Sequence, residues 1–176
     1  MRNAQQLLTA YAAYHRDRRN IATHFVGVPL IMFAVCILLS RPVWTLGAVP
    51  LSAAVLVFLV SAAWYLTRGE FMLSLATSAL IAVMVWGAAH IAADGTATWL
   101  GAGLGLFVVG WVIQFVGHYY EGRKPAFVDD ISGLMVGPMF VVAEALFGLG
   151  WNTALRERIE REVGPTHLRQ LNTVQP

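Results

Sequence analysis

The stretch Val43–Thr67 contains no Asp, Glu, Lys or Arg, and neither does Ala97–Gly117. A helix rises ~1.5 Å per residue and the hydrocarbon core of a bilayer is about 30 Å thick, so roughly 20 apolar residues cross it. Both stretches are long enough. Charged residues make up 12% of the chain, against about 25% in an ordinary soluble domain. A hydrophobic content of 57% is more than the core of a 176-residue globule requires. The sequence therefore specifies an all-α, polytopic membrane helix bundle.

The pattern gives a single integral membrane domain over residues 1–176, with no internal repeat. Within residues 1–19, Ala4–Arg19 reads as an amphipathic helix with Leu7, Leu8, Tyr11, Tyr14 and His15 on one side. The segment lacks the apolar core of a signal peptide and is expected to be retained. Asn20 is a suitable N-cap for a second helix. Spans are expected over Ile21–Ser40, Val43–Thr67, Phe71–Ala93 and Thr96–Gly117, with breaks at Arg41-Pro42, Arg68-Gly69-Glu70 and Asp94-Gly95. Pro50 is tolerable inside the second, because neighbouring helices re-satisfy the carbonyls it frees. A further apolar piece, Ile131–Gly150, contains Gly133, Gly137-Pro138 and Glu144. A charge at bilayer depth costs ~2.5–3.5 kcal/mol or more. This piece is a fifth span, a re-entrant pair of half-helices, or a helix packed across the bundle mouth. Residues 151–176 read as a polar tail.

Net charge is +2, from eleven Arg and one Lys against ten acidic residues. The cations sit near span ends rather than in a stripe, which argues against a nucleic-acid partner. Arg16, Arg18, Arg19, Arg68, Arg123 and Lys124 all fall on one side of a four-span arrangement, and only Arg41 falls on the other. Positive charge marks the cytoplasmic side, so both termini are expected there. Four crossings with a non-crossing fifth element satisfy the basic tail best. The membrane is a bacterial inner membrane, or the endoplasmic reticulum if the chain is eukaryotic. Cys36 is the sole cysteine, so it forms no intrachain disulfide and packs as a small hydrophobe.

The chemistry-bearing residues gather at that same side. His24 lies just inside the first span and His118 closes the fourth. Nine residues on one continuous helix turn through ~900°, which would put His15 and His24 on opposite faces. A turn near Arg19–Asn20 instead folds His15 back toward His24. Gln114, His118 and Glu121 form one stripe at i, i+4 and i+7. Imidazoles suit Zn²⁺, Fe²⁺ and Cu²⁺, and two or three with open positions suit non-haem Fe(II) oxygen chemistry. Gln114 and Glu121 stand where they can ligate a metal or orient a ligating ring. An isolated interfacial histidine is as easily explained as a headgroup-level residue; two clusters converging on one face shift the balance. His90 lies ~30 Å along its span from Glu70, and packing explains it better than ligation. His167 belongs to the polar tail. Glu144 is either functional or a satisfied buried partner of an Arg or His.

Two segments carry a family resemblance. Tyr14–Pro29, Y-H-R-D-R-R-N-I-A-T-H-F-V-G-V-P, and Gln114–Ala126, Q-F-V-G-H-Y-Y-E-G-R-K-P-A, resemble the signature of the fungal 2-hydroxy fatty acid dioxygenase family, membrane proteins tied to phytosphingosine breakdown. Length and span order are similar over almost the whole chain. The resemblance implies an iron(II) enzyme that uses O₂ to shorten a 2-hydroxy fatty acid by one carbon, releasing CO₂. It implies that His15, His24 and His118 hold Fe²⁺, while Asn20, Gly27, Pro29, Gln114, Glu121, Pro125 and Ala126 match the surrounding pattern. On that reading Gln114, Glu121 and Lys124 are the candidate catalytic side chains. Arg68, Arg123 or Lys124 would neutralise the substrate headgroup, and the acyl chain would lie among the spans beside membrane lipids. Two rivals remain on the same residues. One is a Zn²⁺ hydrolase of lipid esters or amides. The other is a non-catalytic membrane scaffold or transporter, against which the lack of an internal repeat counts.

Overall fold

The computed structural model describes residues 1–47 and 49–171. Ala48, from the second expected span, and residues 172–176 of the polar tail lie outside the described residues. The chain is helical almost throughout: α1 (Ala4–Ala12), α2 (Arg18–Leu39), a hairpin of β1 (Val43–Leu46) and β2 (Val49–Ser52), α3 (Ala53–Leu66), α4 (Phe71–Ala93), α5 (Thr96–Glu121), a 3₁₀ turn at Ala126–Val128, α6 (Gly133–Gly148) and α7 (Thr153–Val163).

Helices α2, α4 and α5 are long and apolar enough to cross a membrane. Their outer faces carry apolar side chains left more than half exposed, among them Val83, Trp86, Val108 and Val112, as suits a surface facing lipid. Helix α4 has the bounds its apolar run predicts. The second expected span is only partly a helix. Its first residues pair as an antiparallel hairpin with Val43 opposite Ser52 and Leu46 opposite Val49. The cause is local: Val43, Trp44 and Thr45 are β-formers, Gly47 takes φ +63 at the turn, and Pro50 lacks the N–H a helix interior needs. Helix formation waits for the Ser52 cap, leaving α3 with 14 residues, ~21 Å at 1.5 Å each. The last apolar piece is α6, which breaks at 117° into α7. That geometry fits a broken span or a re-entrant element. The tail is accordingly not all irregular; α7 buries Leu155 and Ile159 on one face.

Helix α2 is the centre of the bundle, with α5 along one side and α4 along another. Helix α5 approaches it through Gly103, Gly110 and Gly117. A Cβ on Gly103 would come within 2.8 Å of Leu38 Cγ, one on Gly110 within 2.7 Å of Ile31 Cγ1, and one on Gly117 would strike Thr23 Oγ1. As α5 advances by sevens its partners on α2 fall back by seven or eight, so the pair is antiparallel. Small residues let helix backbones close to this distance where lipid provides no hydrophobic drive. The register sets His24 against His118.

Helices α1 and α7 close one end of the bundle. Asn3 caps α1 in a reciprocal pair with Gln6 (Gln6 N–H to Asn3 Oδ1, 2.9 Å; Asn3 N–H to Gln6 Oε1, 3.0 Å), worth ~1 kcal/mol. Leu7, Leu8, Tyr11 and Ala12 are buried on the face turned to α6 and α7. Tyr65 ties α3 to α6 by donating to Met135 O at 2.8 Å. The hairpin and the α4–α5 turn form the opposite end, where Arg41 donates to Thr96 Oγ1 at 3.2 Å.

Candidate metal centre

The chain breaks between Ala12 and Arg18 rather than at Arg19–Asn20, and Asp17, not Asn20, caps α2 by accepting from Arg19 N–H at 2.8 Å. Asp17 serves better there because an anion also complements the positive end of the helix. Hydrogen bonding to the Arg19 guanidinium holds its carboxyl far below the usual carboxylate range. His15 lies in this loop and projects into the bundle.

His15, His24 and His118 are all buried, and each offers a ring nitrogen within 4.8 Å of the others. His15 Nδ1 donates to Tyr11 O at 2.7 Å and His24 Nδ1 donates to Asn20 O at 2.8 Å. A carbonyl oxygen only accepts, so both protons are assigned to Nδ1. Both Nε2 atoms then present lone pairs, and they face each other at 2.9 Å. Two lone pairs repel at that distance unless an electrophile lies beside them. Nitrogens ~2.1 Å from one ion and separated by this distance subtend close to a right angle, which suits a metal. His118 Nδ1 is buried with no hydrogen-bond partner. Burial, followed by the nearby His24, pushes the His15 pKa well below its ordinary value, keeping that ring in the neutral form that ligates. The donor set therefore fits a divalent transition metal.

Tyr11 stacks on His15 at 4.1 Å with the rings 8° from parallel, and Phe140 lies 5.4 Å from the same imidazole. The sequence pattern placed Tyr11 on the right face of α1 without giving it this role. A residue four before a loop histidine, whose carbonyl fixes that histidine's tautomer, has no signature of its own.

Glu121 is buried close by but bonds to no imidazole. Its carboxylate accepts from Arg16 N–H at 3.0 Å, Asp17 N–H at 2.8 Å and Asn20 Nδ2 at 3.0 Å. It thus pins the loop that carries His15. The sequence offers it two roles, ligating the metal or orienting a ligating ring, and the structure shows no hydrogen bond between it and a ring. Arg16 holds the same loop from outside. Its Nε donates to Ala12 O at 2.8 Å and its Nη1 to Gly164 O at 2.9 Å, so one cation serves the carboxyl ends of α1 and α7. The tail then crosses the loop. His167 N–H donates to Arg16 O and Arg18 N–H to His167 O, both at 2.9 Å, and Asp17 accepts Arg169 N–H at 2.8 Å. The His167 ring itself is exposed.

A cleft of about 80 Å³ opens beside the cluster, lined by Tyr11, His24, Gln114 and His118 at one end and by Val28, Ile31, Met32 and Trp111 along α2 and α5. Gln114 is therefore at the site, with its Oε1 buried and unpartnered. Lys124, Arg123 and Arg68 do not line this cleft. Lys124 is exposed and pairs with Asp129 at 2.6 Å; Arg123 donates to Ala13 O at 2.8 Å; Arg68 is buried against Trp64, Thr67 and Arg2 O at the start of α1. His90 is exposed near the far end of α4 and donates to Trp86 O at 2.8 Å. Glu144 lines a separate cavity of about 250 Å³ with Arg16, Arg156 and Glu160.

A family model described as 2-hydroxy-palmitic acid dioxygenase Mpo1-like matches residues 1–149, which takes in all three histidines, Gln114 and Glu121. The 2-hydroxy-palmitic acid dioxygenase MPO1 of Saccharomyces cerevisiae is 33% identical over 160 residues, covering 87% of this chain and 85% of that relative. No solved structure matches. Both motifs that frame the histidine cluster fall inside the matched region, and the chain belongs to the Mpo1-like family of 2-hydroxy-palmitic acid dioxygenases.

Proposed function

We propose that this chain is an Fe²⁺-dependent dioxygenase of the membrane that converts a 2-hydroxy fatty acid and O₂ into the acid one carbon shorter, CO₂ and water. One observation carries the reading: His15 Nε2 and His24 Nε2 stand 2.9 Å apart while each Nδ1 lies within 2.8 Å of a carbonyl oxygen, which assigns the protons to Nδ1 and turns two lone pairs toward each other. The yeast relative's name supports the substrate class.

Bound by His15, His24 and His118, ferrous iron would supply a Lewis acid and an electron donor to O₂. The protein's own part is to hold the reactants in place and exclude water. Tyr11 and Phe140 wall the imidazoles from solvent, and Glu121 fixes the loop behind His15. The apolar walls of the cleft run from the histidines along α2 and α5, a path suited to an acyl chain whose polar head stays at the cluster. Arg68, Arg123 and Lys124 are engaged elsewhere, so carboxylate recognition rests on the histidine cluster.

The test is oxygen uptake by anaerobically purified, iron-loaded protein given 2-hydroxypalmitate, with product analysis. Uptake equimolar with a fifteen-carbon acid and CO₂ is expected. Uptake absent with iron, or ester or amide hydrolysis appearing with zinc, would contradict the reading and favour the hydrolase.

A further inference from the structure

Two side chains of the cleft hold a buried polar atom with no hydrogen-bond partner among the described residues: the candidate ligand His118, at Nδ1, and Gln114. Gln114 is 5% exposed, and its Oε1 is buried without a hydrogen-bond partner. Buried acceptors are nearly always paired in native proteins, and an exception calls for an explanation. The carboxamide occupies space left for it by the opposing helix. A Cβ on Gly27 would stand 3.0 Å from Gln114 Cγ and 3.2 Å from its amide carbon. Gln114 also lies one helical turn before His118, and both line the cleft with His24.

The chemistry of the proposed substrate supplies the missing partner. A 2-hydroxy acid differs from an ordinary fatty acid by one hydroxyl, a group that both donates and accepts. The apolar walls read the chain and are blind to that group. His15 and His24 offer it no acceptor, because their Nδ1 protons are assigned to carbonyls and their Nε2 lone pairs face one another, and a neutral His118 ring that ligates through one nitrogen would keep only an N–H at the other. Among the described residues, only Gln114 and Tyr11 bring side-chain oxygen to the cleft.

We propose that Gln114 recognises the 2-hydroxyl group, its buried Oε1 accepting the hydroxyl hydrogen, and that this contact selects 2-hydroxy acids over unsubstituted fatty acids. The inference rests on the function proposed above. A site built to bond a hydroxyl discriminates strongly against the analogue that lacks it, because its own polar group is then left unpaired.

Binding without turnover tests it. Zinc-loaded protein in nanodiscs is titrated with 2-hydroxypalmitate and with palmitate, and zinc content is measured alongside. Wild type should prefer 2-hydroxypalmitate by about tenfold or more. Gln114→Leu, which keeps the volume, and Gln114→Asn, which withdraws the amide, should each lower 2-hydroxypalmitate affinity to that of palmitate. Palmitate affinity and zinc content should stay as in wild type. A preference retained in both variants overturns the inference while leaving the function intact. Zinc lost from both variants also overturns it, by making Gln114 a ligand, and so does a preference abolished by Tyr11→Phe but not by the Gln114 changes. If wild type itself shows no preference, the proposed substrate class fails, and the role of Gln114 fails with it.

Discussion

The carboxylate of Glu121, at the last turn of α5, accepts the backbone N–H of Asp17 at 2.8 Å, 104 positions earlier in the chain. Further bonds run from Arg16 N–H and Asn20 Nδ2 to the same carboxylate. The loop bearing His15 is thus fastened to the helix bearing His118. Glu121→Gln keeps one acceptor oxygen and should weaken metal affinity about 10–100-fold, the range for residues that orient a ligand. Glu121→Ala leaves the two loop amides unpaired and should be worse. Equilibrium metal titration of both variants measures this; wild-type affinity in both would make the clamp irrelevant to the site.

The α2–α5 contact predicts a sharp contrast between glycines of one helix. Gly117→Val would drive side-chain atoms into Thr23 and Asn20, and overpacking of this kind costs ~1–3 kcal/mol. A Cβ on Gly105 meets nothing within 4 Å, so Gly105→Ala should not destabilise, and the better helix propensity of Ala should make it neutral to stabilising by up to ~1 kcal/mol. Unfolding in detergent should separate the two, and Gly117→Val should lose bound metal as it loses stability. Equal stabilities would refute the close approach.

Much of the site is legible in the sequence because it depends on position along spans. His24 and His118 lie at span ends, and α4 follows its apolar run to the residue. The hairpin at Val43–Ser52 is hidden because an apolar window has no period and treats β-formers and helix-formers alike. Glu121 illustrates another limit. Its helical stripe with Gln114 and His118 is visible, but its partners are main-chain amides of a distant loop, which no side-chain pattern encodes. The seven-residue spacing of Gly103, Gly110 and Gly117 was a readable signal for the α2–α5 register.

The tail crosses the His15 loop through main-chain bonds, and this divides the expected effects of two substitutions. His167→Ala removes an exposed ring and should leave metal binding unchanged. Asp17→Asn removes a charge that meets both Arg19 and Arg169 N–H, and should speed amide exchange over residues 165–171 at least tenfold. Hydrogen exchange read by mass spectrometry decides this; unaltered protection in Asp17→Asn would mean that the strap does not depend on that carboxylate.

Topology carries its own prediction. The α4–α5 turn lies at the end of the bundle opposite α1, α7 and the histidines, and Arg and Lys concentrate at the histidine end. Reporters fused within the Gly95 turn and after Pro176 should report opposite compartments, with the carboxyl end cytoplasmic. Agreement between the two reporters would remove the shared membrane face on which the site depends.

The central claim is that three imidazoles hold one metal ion, and metal content tests it most directly. Protein purified anaerobically should carry iron equimolar with chain. His24→Ala and His118→Ala should each lose it while still inserting and folding in the membrane, and His167→Ala should keep it. Full iron retention in both His24→Ala and His118→Ala would contradict the account.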